Sequence, residues 1–301
     1  MTWFILSLIA ILFWSGSDLF SKLGSRPDDK YSHWKMVMAV GVVMGAHAFF
    51  LIATGTPFSI SDIVTYLPAS AMYILSMILG YAGLRYIELS ISSPICNSSG
   101  ALVAILTLIT AGLGDMGALQ LIAITLVAGG VILLGVVEAT EDDELRAARQ
   151  EAGNRKYAKS FLALLLPILY CVLDAAGTFA DSLVLETLDE GSANVAYELT
   201  FLVAGLLAGG YVLFVKREKL TVRSEGPKYL GAVCETIGQF FYIYALADKA
   251  HVAMSAPIIA SYCAVSVLWS RLFLKEKLSW KHYAAIAITV AGIAIIGLLD
   301  P

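Results

Sequence analysis

Apolar residues run along this chain in long blocks, and polar residues collect between them. Ten blocks are visible, at about 3–23, 35–54, 66–86, 92–112, 117–138, 160–185, 194–215, 227–247, 252–273 and 282–299. Each is close to the roughly 20 residues that carry a helix across a bilayer core. Polarity does not alternate at strand spacing, which argues against a membrane β-barrel. The pattern therefore predicts an all-α polytopic membrane protein of ten transmembrane helices. Loops are short except for 139–159, a charged cytoplasmic linker between a first five-helix unit (1–138) and a second (160–301). The first run has neither a basic leader nor a small-residue cleavage site, and reads as a retained span.

Composition narrows the class. Hydrophobic residues make up 58% of the 301 positions and charged ones 15%, against roughly 25% charged in a soluble protein. A mean hydropathy of +0.78 excludes a soluble globular or a disordered chain. The net charge of -4 and pI of 5.6 give no support for a nucleic-acid partner. Cys96, Cys171, Cys234 and Cys263 all lie in apolar runs without CxxC spacing, and read as small buried hydrophobes.

Charge also orients the chain. With loops numbered in order, the odd side carries 19 of the 20 Lys and Arg and the even side only Lys249. The positive-inside rule places the odd loops in the cytoplasm and both termini outside a plasma (inner) membrane. Internal similarity adds symmetry. A shift of 163 lays SSPICNSSG (92–100) on SAPIIASYC (255–263) and LVAGGVILLG (126–135) on TVAGIAIIGL (289–298). Five spans per half force the second half into the membrane upside-down, an inverted-topology repeat. Each half carries a GxxxG pair on its second span, Gly41/Gly45 and Gly205/Gly209, open to internal packing or to a homodimer contact.

Two stretches resemble a known family. FWSGSDLFSK (13–22) is similar to the Trp-Gly-Ser-Asn…Lys opening span of the drug/metabolite transporter superfamily in its ten-span, EamA-like form. LFLKEKLSWKHYAAIAITVAGIAIIG (272–297) is similar to that family's Gly-Glu-(Lys/Arg)-Leu…Trp…Ala-Gly ending. The resemblance covers essentially the whole chain and implies a transporter fold; it is poor at naming a substrate. Asp18 departs from it, standing where the family usually has an apolar residue. External termini also depart from the arrangement expected of many relatives.

Ionisable groups inside spans each cost a few kcal/mol and need a reason. Asp18 shares a face of span 1 with Trp14, one turn away. Span 6 carries Tyr170, Asp174 and Asp181 on one stripe, and span 8 carries Glu235, Gln239 and Tyr242 on another. Tyr81, Asn97 and Tyr262 extend the set from spans 3, 4 and 9. Lys22 is in reach of Asp18 across one turn, whereas Asp174 and Glu235 have no evident basic partner. These two either hold protons or await a cationic ligand, and exchanging one for the other is antiport. Aromatic faces attract ammonium groups, although tyrosine stripes in spans also serve packing. Asp181, Glu186 and Glu198 read as an acidic vestibule or as solvated residues. His47 reads as a hydrogen-bonded packing residue alone on span 2. Pro94 and Pro257 fall in the first turns of spans 4 and 9, where proline is tolerated.

No GxSxG, HExxH, P-loop or metal-spaced His/Cys cluster is present, so neither enzyme chemistry nor a metal or cofactor is expected. The expectation is a secondary active transporter of a small cationic or amine-bearing metabolite or drug, with exchange for protons as the candidate coupling. The expected substrate site is Trp14, Asp18, Tyr81, Asn97, Tyr170, Asp174, Glu235, Gln239, Tyr242 and Tyr262, with Asp174 and Glu235 coupling to protons. Its partners are the solute, protons and the lipid bilayer. The alternatives are a zwitterionic or neutral solute, such as an amino acid or purine, or a non-transporting membrane sensor or scaffold.

Overall fold

The computed structural model describes residues 2–26, 29–111, 117–140 and 161–299. Residues 141–159 of the expected linker lie outside the described residues, and 139–140 belong to the helix before it. Every regular element among the described residues is helical: α1 (Thr2–Gly24), α2 (Ser32–Ala53), α3 (Ile60–Leu84), α4 (Leu89–Asn97), α5 (Ser99–Ala111), α6 (Ala118–Thr140), α7 (Phe161–Val184), α8 (Glu190–Gly210), α9 (Val222–Leu246), α10 (Val252–Ala260), α11 (Tyr262–Trp269) and α12 (Trp280–Leu299). π-helical turns at Tyr211–Val215 and Ser270–Leu274 prolong α8 and α11.

Among the described residues, eight segments are long and apolar enough to cross a membrane, counting α4 with α5 and α10 with its neighbours as one each. Of the other two expected segments, α9 carries Arg223, Glu225, Lys228 and Glu235 along its length, and α12 is a helix of 20 residues that includes the apolar stretch Trp280–Ile296.

Two spans expected to be continuous are broken, at Ser98 and at Ser261. The bounds of α4 and α10 and the two break residues are all offset by the same 163 residues. Pro94 and Pro257 lie at the sixth position of α4 and α10, in the second turn and not the first: α4 begins at Leu89, ahead of its apolar run, and α10 begins with its run at Val252. Proline weakens the helix ladder, and serines that follow offer the backbone an alternative partner. Ser98 Oγ donates back to the Pro94 carbonyl at 3.0 Å. The broken segments cross where Gly100 meets α10. A Cβ at Gly100 would stand 2.4 Å from the Ala260 Cβ, so no larger residue fits.

The helices pair across the two halves. α1 packs along α9 as α3 packs along α7; α2 lies on α8 and α6 on α12. The α2–α8 contact is backbone to backbone: a Cβ on Gly41 would sit 2.3 Å from the Phe201 carbonyl and 2.7 Å from the Gly205 Cα. The GxxxG glycines are therefore used inside the molecule, where close approach supplies the packing that lipid does not drive. Outward faces carry large apolar side chains such as Phe49, Phe50, Leu207 and Phe214, as a lipid-facing surface requires.

Candidate functional site

A cavity with about 910 Å³ of space between atoms, part of it open to solvent, lies where α1, α3, α7 and α9 meet the two broken segments. All ten residues expected from the sequence line it. α1 supplies Trp14 and Asp18, α3 Tyr81, α4 Asn97, α7 Tyr170 and Asp174, α9 Glu235, Gln239 and Tyr242, and α11 Tyr262. Helical spacing explains how each helix contributes a stripe, since positions three, four and seven apart share a face. Packing explains how the stripes converge. Trp14 lies flat on α9 at Gly238, where a Cβ would come within 2.4 Å of the indole, and Tyr170 lies on α3 at Gly80. Small residues on one helix thus admit the rings of its partner.

The rings form a wall. Trp14 stands 5.0 Å from Tyr242 and 5.6 Å from Tyr262, centroid to centroid. Three carboxyl groups face the cavity from three helices: Asp18, Asp174 and Glu235, all half-buried. Their partners are hydroxyls. Ser93 donates to Asp18 at 2.5 Å and Ser266 at 2.7 Å, while Ser99 donates to Asp174 at 2.6 Å. These serines tie α1 to α4 and α11, and α7 to the first residue after the break at Ser98. No Lys, Arg or His lies among the cavity-lining residues.

The expected Asp18–Lys22 pairing gives way to this arrangement. Lys22 donates to the carbonyls of Leu84 and Ile87, both at 2.9 Å, where the end of α3 leaves acceptors unused. The vestibule reading of Asp181 is also corrected. Asp181 is fully buried and accepts from the hydroxyls of Tyr66 and Tyr73. Tyr73 in turn reaches the Tyr242 hydroxyl at 2.6 Å and Thr178 at 2.9 Å. Tyr73, Thr178 and Tyr242 line the cavity, with Asp181 behind them. The signal that points to Asp181 is the repeat itself, since the 163-residue shift carries Asp18 onto Asp181. Glu198 is likewise buried and not solvated, and its carboxyl meets His47 at 2.7 Å, so His47 is hydrogen-bonded as its sequence reading expects. Glu186 is exposed.

At the end of the molecule near the α1–α2 loop, acids and bases are matched. Asp29 lies 3.0 Å from Lys35 and 3.2 Å from Lys228; Glu225 lies 3.1 Å from Lys228. Burial pushes the Asp29 carboxyl up, but the hydrogen bond from Lys35 and the charges of Lys228 and Lys35 outweigh it. Asp29 therefore titrates below its ordinary value.

Comparison with known proteins places this architecture. The EamA-like transporter family model matches residues 161–298, leaving the opening motif at 13–22 outside the matched range. One solved crystal structure is similar over 98% of this chain and 96% of that one, with a TM-score of 0.65 and 16% identity. At that identity the likeness speaks for the fold alone. No protein of curated function matches the chain. Its membrane-capable helices and this match make the chain an integral multi-pass membrane protein, whose residues 161–298 match the EamA-like transporter family.

Proposed function

We propose that this protein is a secondary active transporter of a small organic solute that carries a positive charge, exchanged for protons. One observation carries the reading: three carboxyl groups from three helices converge on one aromatic-walled cavity that no basic side chain lines. Three negative charges in such a place are costly without a counter-charge. A proton or an ammonium group meets that need, and the rings of Trp14, Tyr242 and Tyr262 favour the ammonium. Asn97 and Gln239 offer neutral hydrogen-bonding groups beside it.

The matching offset of α4 with α10, and the pairing of α1 with α9 as α3 with α7, support ten spans in two inverted five-helix repeats. In that arrangement the cavity lies between the repeats, and the broken segments at Ser98 and Ser261 are the elements that rock to open either side. Charge asymmetry supports cytoplasmic odd loops and external termini in a plasma (inner) membrane.

The test is uptake into proteoliposomes with and without a pH gradient, using a panel of primary and quaternary amines. The reading expects amine uptake that an opposing proton gradient accelerates and that Asp174→Asn or Glu235→Gln suppresses. Uptake unaltered in both variants would end it. Thermal stabilisation by amino acids or purines but not by simple amines would instead favour a zwitterionic or neutral solute.

A further inference from the structure

Away from the cavity, α2 and α8 enclose a second set of polar groups. Glu198 is 0% exposed, and His47 Nδ1 stands 2.7 Å from its Oε1. Asn194, one turn earlier on α8, is equally buried and faces the same carboxyl. At hydrogen-bonding distance, neither amide atom of Asn194 nor the second carboxyl oxygen of Glu198 has a partner among the described residues. His47 keeps 29% of its side chain exposed, with its ring 5.6 Å from Phe240 and 6.5 Å from Phe50. None of the three residues lines the cavity.

The chemistry of such a cluster is that of proton binding. Histidine is the side chain whose charge changes between about pH 5 and pH 8. One proton converts a buried net charge of minus one into a neutral pair, and unpaired buried charge is the state an apolar helix contact resists. Among the described residues Glu198 is the charged group that acts on His47, and His47 the one that acts on Glu198. The other titratable groups nearby are phenols. Tyr244 of α9 sits behind Phe240, and Tyr66 of α3 packs on Tyr197 while engaged with Asp181.

The cluster also adjoins cavity-lining residues at two points along the chain. Tyr197, next in sequence to Glu198, lines the cavity and packs on Tyr66, Tyr73 and Phe201. Phe240, which packs on His47, is next to Gln239, another lining residue. We propose that His47 and Glu198 form a proton-binding site separate from the solute cavity, through which the protein responds to pH. The link from this site to transport rests on the transporter reading; proton binding itself does not.

The experiment uses full-length protein in lipid nanodiscs, with the proton as the probe. Samples are titrated between about pH 8 and pH 5 and read by thermal unfolding and by the infrared band of protonated imidazole. The expected result is a pH inflection in Tm that both His47→Gln and Glu198→Gln abolish. His47→Gln also loses one imidazolium band that the Asp174→Asn/Glu235→Gln double variant retains. Glutamine preserves the size of each side chain, and the α2–α8 contact stands on its glycines, so both variants are expected to fold. An inflection that persists in both single variants overturns the proposal, as does one that vanishes only in the cavity double variant. Failure of the transporter reading would show in amine uptake and leave this titration intact.

Discussion

Two groups of buried acids in this molecule are treated in opposite ways. At the basic end, Asp29 and Glu225 meet Lys35 and Lys228, and each charge has an answer within about 3 Å. In the cavity, Asp18 accepts from the Ser93 and Ser266 hydroxyls and Asp174 from that of Ser99, and no base lines the space around them and Glu235. Matched charges hold the loop after α1 and the starts of α2 and α9 together; they are a structural device. The cavity acids meet serine hydroxyls but no base, and under the proposed function the missing positive charge is the solute's or a proton's.

The sharpest way to break this contrast is to neutralise the cavity. Asp174→Asn combined with Glu235→Gln is expected to lower amine uptake by roughly 30-fold or more, the loss that follows when a ligand loses a buried charge partner. Its Tm should hold or rise, because no structural ion pair is lost. A large fall in Tm would mean that these acids are structural after all. The converse test is Lys228→Met. It leaves Asp29 and Glu225 short of a partner, and a destabilisation of roughly 3 kcal/mol is expected, measured by thermal unfolding, with the solute affinity of the folded fraction unchanged.

Acid sharpens the contrast further. The folded-state titration of Asp29 is depressed, so its contribution is fully present above the ordinary carboxylate range and is lost as pH falls through the lowered value. Tm should therefore drop as pH falls below about 4, less steeply in Asp29→Asn. Added salt should weaken the same contribution, since the group is only half-buried. The smallest effect belongs to a cap far from both regions. Asp189 accepts from the Ser192 amide at 3.0 Å at the start of α8. Asp189→Ala should cost about 1 kcal/mol and leave uptake and its pH response unchanged.

Much of the cavity was legible before any coordinates, and the reason is local. Within a helix the 3.6-residue period fixes which side chains share a face, so Trp14 with Asp18, or Glu235 with Gln239 and Tyr242, could be grouped from spacing alone. A mid-span carboxylate is costly enough that it pointed inward on energetic grounds. Errors arose where a residue's fate depended on another helix. Lys22 was expected to answer Asp18 one turn away, but the unused carbonyls at the end of α3 were closer to hand. Asp181 looked peripheral because it is near the end of α7; the tyrosines that bury it come from α3 and α9.

The sequence by itself determined that the chain lives in a membrane, roughly where its helices run and which residues each presents along one stripe. These follow from hydropathy and helical periodicity, which act over a few residues. Tertiary structure alone decided the partners: hydroxyls for Asp18, tyrosines for Asp181, and Glu198 for a histidine 151 positions away. Such pairings depend on how closely two helices approach, and that is set by glycines such as Gly41, Gly205 and Gly238 meeting surfaces far off in the chain. A pattern of spacing along one helix carries no record of it.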